Sequence, residues 1–115
     1  MSTRDDEVVE FELAEALGEL GFTEYEARTL VALTRLGTGT AKDIARSDDV
    51  PRTRVYDAIE VLHDRGLVDV QHTTPRKYTV MSRESIDRKL NADREDRITQ
   101  IGEMFEAIGD IDPQP

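Results

Sequence analysis

The 115-residue chain contains no cysteine. That absence excludes disulfide staples, thiol nucleophiles and Cys-ligated zinc or iron–sulfur centres, and it fits a reducing compartment. Histidine is nearly as scarce: the two present, His63 and His72, have no second His or carboxylate set at ligand spacing, so no metal is expected and both are assigned to the surface. Long apolar runs are missing as well. No stretch approaches the ~20 residues needed to cross a bilayer, and the opening MSTRDDEVVEFE is acidic where a signal peptide is basic and then apolar. A soluble, cytoplasmic protein is expected. There is no glycine-rich phosphate loop and no nucleophile beside a candidate base. Gly37-Thr38-Gly39-Thr40 lacks both a strand before it and a Lys-Ser/Thr after it, so it is assigned to a turn. Neither an enzyme nor a cofactor is expected.

Lysine is the other shortage, with 3 against 12 arginines, while 13 Asp and 12 Glu leave a net charge of -10. An acidic, lysine-poor surface suits a salt-rich cytoplasm, because a Debye length of ~3 Å at ~1 M salt screens carboxylate repulsion. A halophilic origin is expected. The acidity is uneven: the totals are -6 over residues 1–39, 0 over 40–80 and -4 over 81–115. A chain of this kind that must approach a polyanion relaxes its acidity where contact occurs, which directs attention to the middle third.

The length allows one modest domain. Residues 1–7 are polar and expected to be disordered. Val9, Leu13, Ala16, Leu17 and Leu20 recur at helical spacing, with Gly21 as C-cap. Thr23-Glu24-Tyr25-Glu26 is a capping-box pattern that opens a second helix through Tyr25, Leu30, Val31, Leu33 and Leu36 to Gly37. Thr40 and Asp43 repeat that pattern before a short helix, Ala41 to Arg46, burying Ala41, Ile44 and Ala45. Ser47-Asp48-Asp49 is turn chemistry. Pro51 falls in the first turn of a further helix whose apolar face is Val55, Ala58, Ile59 and Leu62, ending at Gly66. The period then changes: residues 67–71 and 77–80 form a two-stranded hairpin, and Ser82 precedes a helix to about Ile108. Residues 110–115 form a flexible tail.

Helix, short helix, turn, Pro-led helix and hairpin is the order of a winged helix-turn-helix, mainly α with a small β-hairpin. The domain spans 8–81, and the helix 82–109 follows. The series Leu20-Gly21-Phe22-Thr23-Glu24-Tyr25-Glu26-Ala27, Thr40-Ala41 to Ile44-Ala45, Val50-Pro51-Arg52-Thr53-Arg54-Val55-Tyr56-Asp57, Leu62 to Arg65-Gly66-Leu67-Val68 and Pro75-Arg76-Lys77-Tyr78 resembles the N-terminal DNA-binding domain of archaeal TrmB-type transcriptional regulators. The resemblance covers residues 17–82. It implies a regulator that binds double-stranded DNA with the 51–65 helix in the major groove and the 67–80 hairpin as wing. Well-known members carry a sugar-binding domain after the winged helix. No room for one remains in this sequence, so sugar sensing is not expected.

Specific readout concentrates in the first turns of the recognition helix, which makes Arg52, Thr53, Arg54 and Tyr56 the base- and phosphate-contacting candidates. Asp57 has two readings, acceptance from cytosine N4 or pairing with Arg54 one turn earlier, and the pairing is expected because a carboxylate near phosphates is costly. Lys42 and Arg46 on the short helix, and Arg76 and Lys77 in the wing, have the charge for backbone contact. In the last helix, Asn91, Ile98 and Phe105 at a, with Arg94, Ile101 and Ile108 at d, form a seam for a homodimer reading an inverted-repeat operator. The alternative for this helix is packing on the first helix. A second function class also stays open: a winged-helix module that binds another protein of the transcription or chromatin machinery without sequence-specific DNA binding.

Overall fold

The computed structural model describes residues 3–111. Its backbone contacts divide into two compact units, one ending at Ser82 and the other starting at Arg83.

The first unit opens with α1 (Thr3–Glu19). The helix begins at Thr3 rather than Val8, so residues 3–7, expected to be disordered, are helical; Asp6 and Glu7 bring negative charge near the helix's positive end, where it is favourable. Met1 and Ser2 lie outside the described residues. At the other end, Gly21 takes φ 94° and a Schellman pair forms, Phe22 N–H to Leu17 O at 3.2 Å and Gly21 N–H to Gly18 O at 3.0 Å. That turn drives Phe22 into the core and sets the start of α2 (Glu24–Leu36).

The expected capping box opens α2: the Glu26 N–H donates to Thr23 Oγ1 at 3.2 Å and the Thr23 N–H donates to Glu26 Oε1 at 3.1 Å. Ala27, Leu30, Val31 and Leu33 are buried, whereas Leu36 is 40% exposed. Gly37 ends the helix at φ 78°.

Thr38–Gly39 corrects the turn expected there. These two residues form a strand, β1, antiparallel to β3 (Lys77–Val80), which also pairs with β2 (Val68–Gln71) in the sheet order β1-β3-β2. The hairpin therefore gains a third strand, with Thr38 opposite Thr79 and Gly39 opposite Tyr78. A Cβ on Gly39 would lie 3.3 Å from the Asp43 Cβ and 3.4 Å from Leu36 Cδ1, so this crowded position favours glycine.

The second expected box opens α3 (Ala41–Asp48), with the Asp43 N–H donating to Thr40 Oγ1 at 3.1 Å and the Thr40 N–H to Asp43 Oδ2 at 3.0 Å. The helix runs past Arg46 because Ser47 and Asp48 stay helical, and the turn is made by Asp49 at φ 52°, a conformation that Asp tolerates. Ala41 and Ile44 are buried, while Ala45 is only half-buried. Then α4 (Arg52–Asp64) buries the expected face, Val55, Ala58, Ile59 and Leu62. The fully buried Leu33, Ile44, Leu62, Leu67 and Val55 form the centre of the core, each contributing about 1.5–3 kcal/mol.

Two arginines of α2 hold the end of α3. Arg28 donates to the Asp48 carbonyl at 2.6 Å and lies 3.6 Å from its carboxylate, while Arg35 bonds Ser47 and reaches Glu10 of α1. The second unit is α5 (Arg83–Ile111), which carries the expected last helix to Ile111; residues 112–115 of the expected tail lie outside the described residues. From Asn91 to Gly109 every residue of α5 is exposed.

Candidate nucleic-acid interface

The three capped or led helices of the first unit begin differently. Both α2 and α3 carry an acid in the first turn and a complete capping box. At α4 the N-cap is Pro51, which makes no side-chain hydrogen bond, and the first turn holds no acid. The Arg54 and Val55 amides donate to the Pro51 carbonyl at 2.9 and 3.1 Å, so the helix is closed by backbone alone. Its positive end is left facing outward with arginines around it, an arrangement suited to a polyanion.

The expected recognition residues are all on this start. Arg52, Thr53 and Arg54 are exposed, Tyr56 is 48% exposed, and Val55 between them is fully buried, which anchors the turn to the core. Asp57, Glu60 and Asp64 are exposed farther along. The expected Arg54–Asp57 pair does not form. The Arg54 guanidinium carbon instead lies 5.6 Å from the centroid of the Tyr25 ring in the first turn of α2. Local spacing favours a pair one turn apart, but the aromatic face brought alongside by tertiary packing takes the cation. Arg65, the C-cap of the same helix, lies 4.2 Å from the Phe22 centroid.

On α3, Lys42 and Arg46 are exposed one turn apart. Asp43 lies between them; the Thr40 backbone N–H holds its carboxyl below the ordinary value, with the Thr40 hydroxyl, Arg46 and Lys42 acting in the same direction. Arg76 and Lys77 are exposed where the wing turn enters β3; in that turn the Thr73 hydroxyl donates to the Pro75 carbonyl at 2.7 Å. The wing and α3 candidates are thus presented to solvent.

In α5, Ile98, Ile101, Phe105 and Ile108 are 58, 42, 71 and 64% exposed, and Met104 joins the same stripe at 58%. Arg94 is exposed, and the Asn91 amide donates to the Asp87 carbonyl of its own helix at 2.9 Å. Among the described residues there is no group of three His, Asp or Glu that could hold a metal, and no helix is long and apolar enough to cross a membrane.

A sequence model of the family described as "Sugar-specific transcriptional regulator TrmB" matches residues 17–84. The chain belongs to the TrmB family. It is 33% identical over 104 residues to the HTH-type sugar sensing transcriptional regulator TrmBL1 of Pyrococcus furiosus, covering 90% of this chain and 30% of that one. It is 35% identical over 96 residues to the uncharacterized protein YrhO of Bacillus subtilis, covering 82% of this chain and 34% of that one. The chain therefore spans about a third of the length of these relatives. Among solved structures, TrmBL2, described as an archaeal chromatin protein with a novel mode of DNA binding, superposes with a TM-score of 0.77 at 26% identity over 88% of this chain and 40% of that chain. A MarR-family regulator from Silicibacter pomeroyi, at TM-score 0.57 and 16% identity over 96% of this chain and 87% of that one, shares the winged-helix fold.

Sequence reasoning missed Tyr25 as a partner of α4, and Arg28 and Arg35 as the residues that hold α3. The Tyr25 signal was present in outline, since it sits in the first turn of a capped helix, but nothing local names its partner.

Proposed function

We propose that this TrmB-family chain is a sequence-specific transcriptional regulator that binds an inverted-repeat operator in double-stranded DNA as a homodimer, in the cytoplasm. The first turns of α4 enter the major groove, with Arg52 and Arg54 suited to guanine O6 and N7, Thr53 to a base edge or phosphate, and Tyr56 to a phosphate or thymine methyl. Lys42, Arg46, Arg76 and Lys77 contact the phosphate backbone. The observation that carries this reading is the start of α4: uncapped by any side chain, free of acids, and bearing exposed Arg52, Thr53 and Arg54 above a buried Val55. The dimer seam is the exposed apolar stripe of α5, and Asn91, which gives one amide N–H to the Asp87 carbonyl, keeps its second N–H and its Oδ1 for setting register with a partner helix.

Selection of bound fragments from sheared genomic DNA, with the wild type beside the Arg52→Ala/Arg54→Ala double variant, tests the DNA half. Enrichment of an inverted repeat that the double variant loses supports it; a folded wild type that enriches nothing overturns it. Ile101→Asp is expected to halve the mass in solution and abolish cooperative binding to paired half-sites. The salt-adapted reading rests on the net charge of -10 and predicts a melting temperature that climbs from dilute buffer to multimolar KCl; an unchanged melt would sink it.

A second reading is favoured by the likeness to TrmBL2, described as a chromatin protein: a DNA-packaging or chromatin-associated module without base specificity. It predicts fragment recovery spread evenly over the genome.

A further inference from the structure

We propose that Tyr25 is a positioning residue for Arg54, holding its guanidinium ready for DNA and away from Asp57. The inference rests on the assignment of α4 to the major groove.

Three observations meet here. The capping box of Thr23 and Glu26 fixes the first turn of α2 and with it the Tyr25 backbone, and the Tyr25 ring is itself half-buried. The Arg54 guanidinium carbon lies 5.6 Å from the centroid of that ring. Among the described residues the Arg54 side chain has no hydrogen-bond or ion-pair partner, Asp57 included, although Asp57 is exposed one helical turn away.

The physical consequence is specific. A cation over an aromatic ring is attracted without a hydrogen-bond acceptor, so the N–H donors that make a bidentate contact with guanine stay open to DNA. A carboxylate would instead occupy those donors and cancel the charge. Arginine also loses much rotamer freedom on binding, and a side chain already restrained by a ring loses less. Tyr25 therefore does two things at once: it narrows the positions Arg54 samples, and it competes with Asp57 for the guanidinium. Phe22 and Arg65 repeat the arrangement at the other end of α4, 4.2 Å from cation to centroid, but Phe22 is 5% exposed and belongs to the core. Phe22 supplies the contrast of an aromatic whose contact holds the helix without presenting a side chain to DNA.

The test is a double-mutant cycle on the full chain, read by affinity for the duplex that the wild type selects from a random library, at one fixed salt concentration. Tyr25→Leu is expected to weaken binding about two- to fivefold, the range that an exposed cation–aromatic contact supports. Tyr25→Phe keeps the ring and is expected to bind as the wild type does. In the Arg54→Ala background Tyr25→Leu is expected to change nothing further, and adding Asp57→Asn to Tyr25→Leu is expected to restore part of the loss. Equal weakening by Tyr25→Leu with and without Arg54, or tighter binding, overturns the inference. If Tyr25→Leu lowers the melting temperature, Tyr25→Met, close in volume, takes its place in the cycle. The underlying assignment fails differently: the wild type then selects no sequence, or Arg54→Ala binds like the wild type.

Discussion

The two helices of the helix-turn-helix motif, α3 and α4, are neighbours in the chain and begin in opposite ways. At α3 the box closes in both directions: the Thr40 hydroxyl takes the Asp43 amide, the Asp43 carboxylate takes the Thr40 amide, and the acid lies at the positive end of the helix. At α4 a proline replaces the capping side chain, no acid is present, and the exposed side chains are Arg52, Thr53 and Arg54. A capped start contributes stability by itself; an open, cationic start forgoes it and leaves the helix's positive end unneutralised. In a chain with 25 acidic residues, the first turn of α4 holds none, which is what the proposed binding role of that helix requires.

The strongest way to break this contrast is to make α4 start like α3. Arg52→Glu places an acid in its first turn. Folding stability is expected to rise by about 0.3–1 kcal/mol through the helix dipole. DNA affinity is expected to fall by roughly 10- to 100-fold, since a contact to base or phosphate worth ~1–3 kcal/mol is lost and a repulsion is added. Thermal melts and anisotropy titrations on one preparation check both signs. A variant that binds normally would detach the start of α4 from function.

The converse change, Thr40→Ala, removes the cap from α3. Stability is expected to fall by about 1 kcal/mol, while DNA affinity of the folded protein stays within about twofold. Denaturant melts paired with titrations well below the transition read the two effects separately. A large affinity loss in the folded protein would mean that the start of α3 itself meets DNA.

Much of this contrast is legible in the sequence, because capping is local chemistry. Thr23 with Glu26 and Thr40 with Asp43 announce their boxes at a spacing of three, Gly21 and Gly37 close their helices at positive φ, and the Val55, Ala58, Ile59 and Leu62 face follows from helical period alone. What could not be seen depends on partners far away in the chain. The strand at Thr38–Gly39 is too short to show a period and exists only because Thr79 and Tyr78 come alongside it. Arg54 looked bound to Asp57 by spacing, yet the ring that takes it lies 29 positions earlier, at Tyr25. The same holds for Arg28 and Arg35, whose links to Asp48, Ser47 and Glu10 are set by how α1, α2 and α3 pack. The start of α1 differs from the expectation for a local reason: the polar opening residues have the composition of a loose end, but Asp6 and Glu7 carry the charge that suits the beginning of a helix.

The smallest effect sharpens the comparison by titration. The Asp43 carboxyl is held below its ordinary value, first by the Thr40 backbone N–H and then by the Thr40 hydroxyl. A carboxyl whose folded value is depressed stabilises the fold fully above its unfolded value, near ~3.9 for Asp, and loses that contribution as pH falls through the folded value. The gap in melting temperature between the wild type and Asp43→Ala is therefore expected to be constant from pH 7 to about 5 and to shrink as pH drops below ~4. Melts across that range measure it, and a gap that persists to pH 3 would show the box to act through shape and not charge.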